Sequence, residues 1–151
     1  MQLILWRHAQ AEDGGRDLER ELTAKGRRQA ARVAAWLRRR LPEKFRVLSS
    51  PAIRAQQTAA ALGGEVAIVD GLAPGASAAE VLECSGWPDV EDTLTVVVGH
   101  QPTLGELAAQ LVSGRAAEWS VRKGGLWWLE HRARGAHGET VVRAVISPDL
   151  L

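Results

Sequence analysis

Two arginines and two histidines are the residues of this sequence best suited to chemistry. Arg7 and His8 are adjacent, Arg54 ends the segment Ser49-Ser50-Pro51-Ala52-Ile53-Arg54, and His100 follows a glycine. The planar guanidinium of arginine matches the oxygens of a phosphate, and a neutral histidine is a nucleophile near neutral pH. This combination favours phosphoryl transfer through a phosphohistidine.

Each of these groups follows a short apolar run of the kind that predicts a buried strand. The three runs are Leu3–Trp6, Arg46–Ser49 and Thr93–Val98. In an open α/β sheet, ligands bind in the crevice at the carboxyl ends of the strands. We therefore expect the two arginines and two histidines to share one pocket, although they are distant in sequence.

Helical spacing and turn residues predict the remaining elements. Thr23 stands at an N-cap position, before apolar residues that recur at helical spacing as far as Pro42. Ser50 and Pro51 are typical of the cap and first turn of a second helix, which runs to about Leu62. The other predictions are a strand at 66–69, helices at 78–83 and 103–112, and a hairpin of strands 126–131 and 140–146 around a turn at 134–138.

This alternation of strands and helices predicts an α/β fold. We expect a single-domain three-layer sandwich with a mostly parallel central sheet and a C-terminal hairpin at its edge, because 151 residues form one core and leave no room for a second domain. The single domain covers residues 1–151. A hydrophobic content of 46% and a charged content of 25% exclude a disordered chain, a collagen repeat and a heptad rod.

Charge and cysteine content restrict the partners. Nineteen basic and eighteen acidic residues give a formal charge of +1, so any bound anion must be held by a local cluster. The single cysteine, Cys84, has no partner for an internal disulfide, and the N-terminal apolar run is too short for a signal peptide or a membrane span. We expect a cytoplasmic monomer that binds neither nucleic acid nor membrane.

Four sequence blocks occur in an order that resembles the histidine phosphatase superfamily. The blocks are LWRHA at 5–9, LTAKG at 22–26, SSPAIRAQQT at 49–58 and VGHQP at 98–102. The small size, the Arg20-Glu21-Leu22-Thr23 block and the brief final hairpin resemble the SixA-like branch of phosphohistidine phosphatases. The resemblance spans almost the whole chain.

The resemblance implies a role for five residues. His8 corresponds to the nucleophile that accepts the phosphoryl group, and Arg7 and Arg54 correspond to the arginines that clamp the phosphate oxygens. His100 corresponds to a donor to an oxygen that gains charge in the transition state. Arg20 matches a further basic residue of the phosphate pocket.

No cofactor and no metal are expected, because the arginines supply positive charge and no pair of His or Cys stands at ligand spacing. The neighbouring Arg7 and Arg54 predict a pKa of His8 below the usual value. We expect the other ring nitrogen of His8 to donate to a backbone carbonyl. Gln101 stands where many members have asparagine, which leaves open whether it contacts phosphate.

A general acid has no distinctive sequence signal. Glu12, Asp13, Glu80 and Glu83 are all conceivable. An imidazole leaving group departs more easily than an alkoxide, so a site without a strong acid favours phosphohistidine as substrate.

We therefore expect a phosphatase acting on phosphohistidine in a signalling or phosphotransfer protein. One alternative is a phosphatase or mutase of a small phosphorylated metabolite, which calls for a lid or insertions around the pocket. Another alternative is a catalytically silent phosphate-binding module, which does not need both His8 and Arg54.

Overall fold

The computed structural model describes residues 1–89, 92–135 and 137–151. Along the chain, strands and helices alternate before a final pair of strands. The strands are β1 Gln2–Arg7, β2 Arg46–Ser49, β3 Ala67–Ile68, β4 Leu94–Gly99, β5 Leu126–Arg134 and β6 His137–Ile146. The helices are α1 Ala24–Arg38, α2 Ile53–Ala60, α3 Ala78–Ser85 and α4 Thr103–Ser113, with short 3-10 turns at Asp17–Glu19, Asp70–Leu72 and Pro148–Leu150.

One six-stranded sheet has the strand order β3-β2-β4-β1-β5-β6. The first four strands of this order are mutually parallel, whereas β5 is antiparallel to β1 and β6 is antiparallel to β5. Strand β4 lies between β1 and β2, and all six of its residues are buried. The predicted α/β class and the C-terminal hairpin at the sheet edge are confirmed.

Helices cover both faces of the sheet, because alternate residues of each strand point to opposite sides. Ile4 and Trp6 pack in one core with residues of α1 and α2, such as Leu37. Leu3 and Leu5 pack in a second core with residues of α3 and α4. The three-layer arrangement is therefore confirmed. Within the three described ranges, no helix is both long and apolar enough to cross a membrane.

The predicted first helix begins where the sequence indicates. The Thr23 hydroxyl accepts a hydrogen bond from the Gly26 amide at 2.9 Å, which caps α1. The helix ends at Arg38, before Pro42. Gly26 faces the chain just beyond His8, and a Cβ at this position would overlap the carbonyl oxygen of Gln10. Helix α1 therefore packs directly against the segment that follows β1.

The predicted start of the second helix is wrong. The N-cap of α2 is Ala52, and no side chain caps it. The Ser50 hydroxyl accepts a hydrogen bond from the Ala52 amide at 3.1 Å, so it stabilises a turn ahead of the helix, and it also contacts a histidine described below. The helix ends at Ala60, two residues earlier than predicted.

The C-terminal hairpin is longer than predicted. Strand β5 continues to Arg134 and strand β6 begins at His137, because cross-strand pairing extends through the polar residues beyond the buried part of the hairpin. Residues 134, 137 and 138 of the predicted turn at 134–138 therefore belong to the strands, and Ala136 lies outside the described residues. Strand β3 has only two residues, fewer than predicted, and α3 extends to Ser85.

Candidate active site

A cavity of about 330 Å³ opens at the carboxyl ends of β1, β2 and β4. Its deep residues are His8, Arg54 and His100, which are 8%, 3% and 7% exposed. The full lining is Arg7, His8, Ala11, Asp13, Asp17, Arg20, Arg54, Pro74, Gly75, His100, Gln101 and Lys123. All five residues singled out from the sequence are therefore brought together in one pocket.

Backbone hydrogen bonds continue past the ends of the strands and fix the segments that carry these side chains. The His8 amide donates to the Gly99 carbonyl at 3.0 Å, and the Ser50 amide donates to the Val98 carbonyl at 3.0 Å. The His8 carbonyl accepts from the Gly124 amide at 3.1 Å. The three strand ends are thus held at fixed positions relative to one another.

Two hydrogen bonds define the tautomer of His8. Its Nδ1 lies 2.7 Å from the Ala9 carbonyl oxygen, which can only accept, so Nδ1 carries the proton. Its Nε2 lies 3.3 Å from Nε of Arg54, which can only donate, so Nε2 is unprotonated and accepts this hydrogen bond. The expected bond to a backbone carbonyl is therefore present, and the unprotonated nitrogen faces the arginine.

The pKa of His8 is lowered from 6.5 to about 4. Burial is the largest cause, because the charged ring would lose hydration, and the positive charges of Arg54 and Arg7 add smaller effects. The bond to Ala9 opposes the shift. The predicted direction is confirmed, but desolvation rather than the neighbouring arginines is the main reason.

Arg54 is the most enclosed charge of the pocket. Its NH1 donates to the Asp17 carbonyl at 2.6 Å, and its NH2 donates to Oδ2 of Asp17 at 3.1 Å. Thr58, one turn later on α2, donates to the Arg54 carbonyl at 2.7 Å and accepts from the Ala9 amide at 3.1 Å. The helix that carries Arg54 is thereby joined to the segment that follows His8.

His100 stands beside His8, with 5.1 Å between the ring centroids. Its Nε2 lies 2.7 Å from the Ser50 hydroxyl, and its Nδ1 lies 3.5 Å from NH2 of Arg54. The pKa of His100 is lowered to about 3, first by burial and then by the charges of His8 and Arg54. Ser50 was assigned to a helix cap from the sequence, and its contact with His100 was missed.

Arg7 lines the pocket from the side of β5. Its NH1 donates to the Val121 carbonyl at 2.8 Å, whereas its buried Nε has no hydrogen-bond partner within the described part of the chain. Burial lowers the pKa of Arg7. A buried donor without an acceptor is costly, so the position of this Nε destabilises the structure locally.

Asp17 is a pocket residue that the sequence did not reveal. Its Oδ1 accepts from Nε and NH2 of Arg20 at 3.2 and 3.0 Å, and its Oδ2 accepts from Arg54. These bonds, the one from Arg20 first, lower the pKa of Asp17 and keep it ionised. The residue lies in a polar 3-10 turn without periodicity, so no pattern marked it. The predicted Arg20 is half-buried and also donates to the Glu12 carbonyl.

Gln101 and Lys123 complete the rim. The Gln101 side chain donates to the Trp119 carbonyl at 2.6 Å and accepts from the Val121 amide at 3.4 Å, so both of its polar atoms hold the loop before β5. Lys123 is exposed and lines the pocket. It was missed because a single lysine in a loop carries no sequence signal.

Three of the four conceivable general acids lie outside the cavity lining. Asp13 lines the pocket, whereas Glu12, Glu80 and Glu83 do not. Glu80 instead accepts hydrogen bonds from the amide and hydroxyl of Ser77 in a capping box at the start of α3. Within residues 1–89, 92–135 and 137–151, no group of three His, Cys, Asp or Glu is arranged to hold a metal ion.

Sequence comparison places the chain in a family of phosphatases. The model of the histidine phosphatase superfamily (branch 1) matches residues 3–73. An uncharacterised protein of Picosynechococcus is 33% identical over 163 aligned residues, which cover 100% of this chain and 99% of the relative. The chain belongs to the histidine phosphatase superfamily, and this membership implies phosphatase activity.

Solved structures place the chain near one branch of that family. A putative phosphohistidine phosphatase SixA from Nakamurella multipartita superposes with a TM-score of 0.77 and 29% identity, covering 97% of this chain and 96% of that one. A protein histidine phosphatase SixA complexed with tungstate has the same fold, with a TM-score of 0.79, 24% identity and 99% coverage of both chains. The chain is therefore SixA-like.

Proposed function

We propose that this chain is a phosphohistidine phosphatase with His8 as its nucleophile. The observation that carries the proposal is the unprotonated Nε2 of a buried, neutral His8, which accepts a hydrogen bond from Arg54 at the floor of the pocket. In the first step, Nε2 forms a bond to phosphorus while the bond from phosphorus to the leaving group breaks. The leaving group takes a proton from solvent. The ring of phosphorylated His8 becomes cationic, and the Ala9 carbonyl stabilises it through Nδ1–H.

In the second step, water adds to phosphorus and the P–N bond breaks. Inorganic phosphate leaves, and the bonding electron pair returns to Nε2. Both steps need positive charge around the phosphoryl oxygens more than they need covalent assistance. Arg7, Arg20 and Arg54, which all line the pocket, supply that charge in this proposal.

His100 is the proposed donor to a phosphoryl oxygen. In the structure, Nδ1 of His100 faces NH2 of Arg54, which can only donate, so Nε2 carries the proton and points at the Ser50 hydroxyl. Donation through Nδ1 to a phosphoryl oxygen requires the other tautomer, in which the Ser50 hydroxyl rotates and donates to Nε2 at 2.7 Å. Ser50 thus allows His100 to donate without becoming charged. Ser50 is a positioning residue in this proposal, because it acts through His100.

The placement of the two carboxyl groups that line the described pocket supports a phosphoramidate substrate. Asp13 lies on the exposed rim rather than on the buried floor beside His8. Asp17 lies in the pocket, but its bonds to Arg20 and Arg54 keep it ionised, so it is not a proton donor at neutral pH. When the second ring nitrogen of phosphohistidine carries a proton taken from solvent, the P–N bond breaks to release a neutral imidazole, whose conjugate acid has a reference pKa near 6.5. Such a group leaves without an enzyme acid far more easily than a serine or sugar alkoxide does. Phosphohistidine is therefore the substrate that this site accommodates best.

Access to the cavity supports a protein as the carrier of that phosphohistidine. The rim residues Asp13, Gly75 and Lys123 are exposed, and the nucleophile lies on a buried floor below them. A phosphorylated side chain can enter such a funnel from a large surface, whereas a small metabolite is better held where a lid closes over it.

A ranking of substrates tests the proposal. We expect kcat/KM at neutral pH to be highest for a phosphohistidine domain, followed by an activated aryl phosphate, and to be much lower for a phosphoserine peptide and for sugar phosphates. A sugar phosphate that exceeds the phosphohistidine domain would instead establish a metabolite phosphatase. Binding of phosphate without turnover of any substrate would establish a silent binding module.

We further propose that turnover needs no metal ion, because three arginines already surround the cavity. Addition of a chelator should leave kcat/KM for the aryl phosphate unchanged. Loss of activity with chelator and recovery with Mg²⁺ would contradict this. Vanadate and tungstate should compete with substrate.

A further inference from the structure

The formal net charge of +1 is the sum of two parts of the chain that carry opposite net charges. No lysine or arginine occurs between Arg54 and Arg115, and this stretch contains eight acidic residues. All nineteen basic residues lie outside it, with the other ten acidic residues. The acidic stretch includes α3 and α4, which cover one face of the sheet, whereas α1 on the other face contains basic residues and no acidic ones.

The basic residues at the start of α1 do not stabilise the helix through its dipole, in contrast to Arg38 in the last turn. A cation near a helix N-terminus opposes the helix dipole, and the first turn of α1 contains no acidic residue to compensate. Lys25, Arg28 and Arg32 are spaced by three and four residues, so they lie along one side of α1. We refer to these three residues as the basic row. They line a cleft of about 270 Å³ together with Gln29, Pro148 and Asp149.

The basic row is exposed and unpaired. None of its three residues forms an ion pair in the described part of the protein, although Arg27 on the same helix pairs with Glu21 at 3.6 Å. The carboxylate that lines the cleft, Asp149, is already paired with Arg122 at 3.2 Å. Three adjacent cations therefore retain their full charge at the surface.

The basic row adjoins the active-site rim. Gln29 lies on the same side of α1 as the basic row. Its side chain accepts a hydrogen bond at 3.0 Å from the amide of Gln10, which is two residues beyond the proposed nucleophile His8. A Cβ at Gly124 would be 3.3 Å from Cβ of Gln29, and the preceding Lys123 lines the catalytic pocket. Positive charge thus continues from the pocket rim along α1.

We propose that the basic row and Lys123 dock an acidic surface of the phosphohistidine protein. This inference rests on the proposed function and specifies the partner: a protein with carboxylates beside its phosphohistidine. Complementary charge accelerates association and selects orientation, and the acidic face carrying α3 and α4 repels the same partner. A small phosphorylated molecule bound in the cavity gains little from the row, because exposed charges are screened over about 8–10 Å at ordinary ionic strength.

Two variants with the same change of charge test the docking surface. One is K25Q/R28Q/R32Q. The other is R39Q/K44Q/R115Q, whose three residues are exposed and lie at the opposite end of the sheet. Arg39, for example, is about 20 Å from Lys25 along the axis of α1. Two substrates are compared. One is an acidic helical phosphotransfer domain whose histidine has been phosphorylated by treatment with phosphoramidate, and the other is an aryl phosphate.

At low salt, we expect the first variant to lose about tenfold in kcat/KM for the acidic domain, mainly through KM, and to keep its kcat/KM for the aryl phosphate. The second variant should change by less than about twofold, and added salt should abolish the difference between the two variants. Neutralising the carboxylates beside the phosphohistidine of the domain should reproduce the loss with the unmodified enzyme.

Equal losses in both variants would overturn the docking surface, and so would a parallel loss with the aryl phosphate. Stronger inhibition of the unmodified enzyme by a short DNA duplex than by an acidic protein would assign the row to nucleic acid instead. If the unmodified enzyme preferred a sugar phosphate to the domain, the proposed function itself would fail, and the docking proposal with it. If the domain is turned over efficiently and K25Q/R28Q/R32Q is as active on it as the unmodified enzyme, the docking proposal fails and the proposed function stands.

Discussion

The pocket and the C-terminal hairpin use the same types of charged residue in opposite ways. In the pocket, Arg54 pairs with Asp17 while its side chain is only 4% exposed. In the hairpin, Glu130 pairs with Arg132 at 3.0 Å and with Arg143 at 2.9 Å, and these arginine side chains are 50% and 42% exposed. Each carboxylate thus accepts from two arginines and has a lowered pKa.

Burial of the arginine side chain, rather than residue type, separates the two regions. The carboxylates show the opposite order, because Asp17 is 56% exposed and Glu130 is 19% exposed. A buried guanidinium has lost its hydration and interacts strongly with the next anion that reaches it. An exposed one is screened by water and salt and contributes little. The pocket is therefore expected to respond strongly to substitutions that the hairpin tolerates.

The largest expected difference concerns histidine. His8→Ala should lower phosphatase turnover by several orders of magnitude and leave the fold intact, because it removes the covalent route. His131→Ala in β5 is the matched control, and its turnover should remain normal. Rapid-quench labelling should capture an acid-labile, alkali-stable phosphoenzyme in the unmodified protein and in His131→Ala, but not in His8→Ala. Near-normal turnover of His8→Ala would refute the nucleophile.

The next difference concerns arginine. Arg54→Ala should lower kcat/KM by roughly two to four orders of magnitude, because it would remove the proposed bidentate contact to phosphate in a desolvated site. Arg54→Lys should recover little, since an ammonium group cannot reproduce the planar pair of donors. Arg143→Ala should leave kcat/KM within about twofold. Comparable losses at both positions would remove the distinction between the two regions.

A smaller effect is expected in the pH dependence of the free energy of unfolding. His8 and His100, with pKa values of about 4 and 3, stay neutral in the folded protein while the unfolded chain binds protons below about pH 6.5. Folding therefore loses stability as pH falls from 6.5 toward 4. Between pH 7 and pH 5 each histidine should cost about 1–2 kcal/mol of unfolding free energy.

Urea unfolding at pH 7 and pH 5 measures this effect. The double variant His8→Asn/His100→Asn should lose less stability on acidification than the unmodified protein. Glu130 should contribute nothing to the difference, because a carboxylate with a lowered pKa loses its stabilising effect only below about pH 4.5. An unchanged pH response in the double variant would contradict the buried, neutral state of the two rings.

The smallest effect belongs to the hairpin network. Glu130→Gln removes both exposed ion pairs and should reduce the free energy of unfolding by less than about 1 kcal/mol. Kinetic constants for the aryl phosphate should not change. Thermal unfolding at two salt concentrations provides the measurement, and a loss of several kcal/mol would place this network among the buried pairs.

Most of the fold followed from local pattern. Strand β2 was predicted within its observed bounds, and Thr23 was identified as the cap of α1, because apolar runs and caps are local signals. The start of α2 was predicted wrongly, because a Ser-Pro pair has the same appearance whether its hydroxyl caps a helix or, as in Ser50, contacts a distant histidine.

The site was predictable only where residues belong to motifs. His8, Arg54 and His100 stand in blocks with recognisable neighbours, whereas Asp17 lies in a polar turn that has none. Its contact with Arg54 joins residues 37 positions apart and depends on how the turn folds over α2. The main cause of the low pKa of His8 was also hidden, because burial is a property of packing rather than of adjacent charges.

Gly26 has a consequence for engineering this protein. A glycine inside a helix costs about 1 kcal/mol relative to alanine, so a design protocol that optimises helix propensity would replace it first. The carbonyl of Gln10 occupies the place where the new methyl group would stand. Gly26→Ala would therefore gain helix propensity but force the backbone that follows His8 to move, so a protocol guided by helix propensity alone would lower the stability and disturb the pocket at the same time.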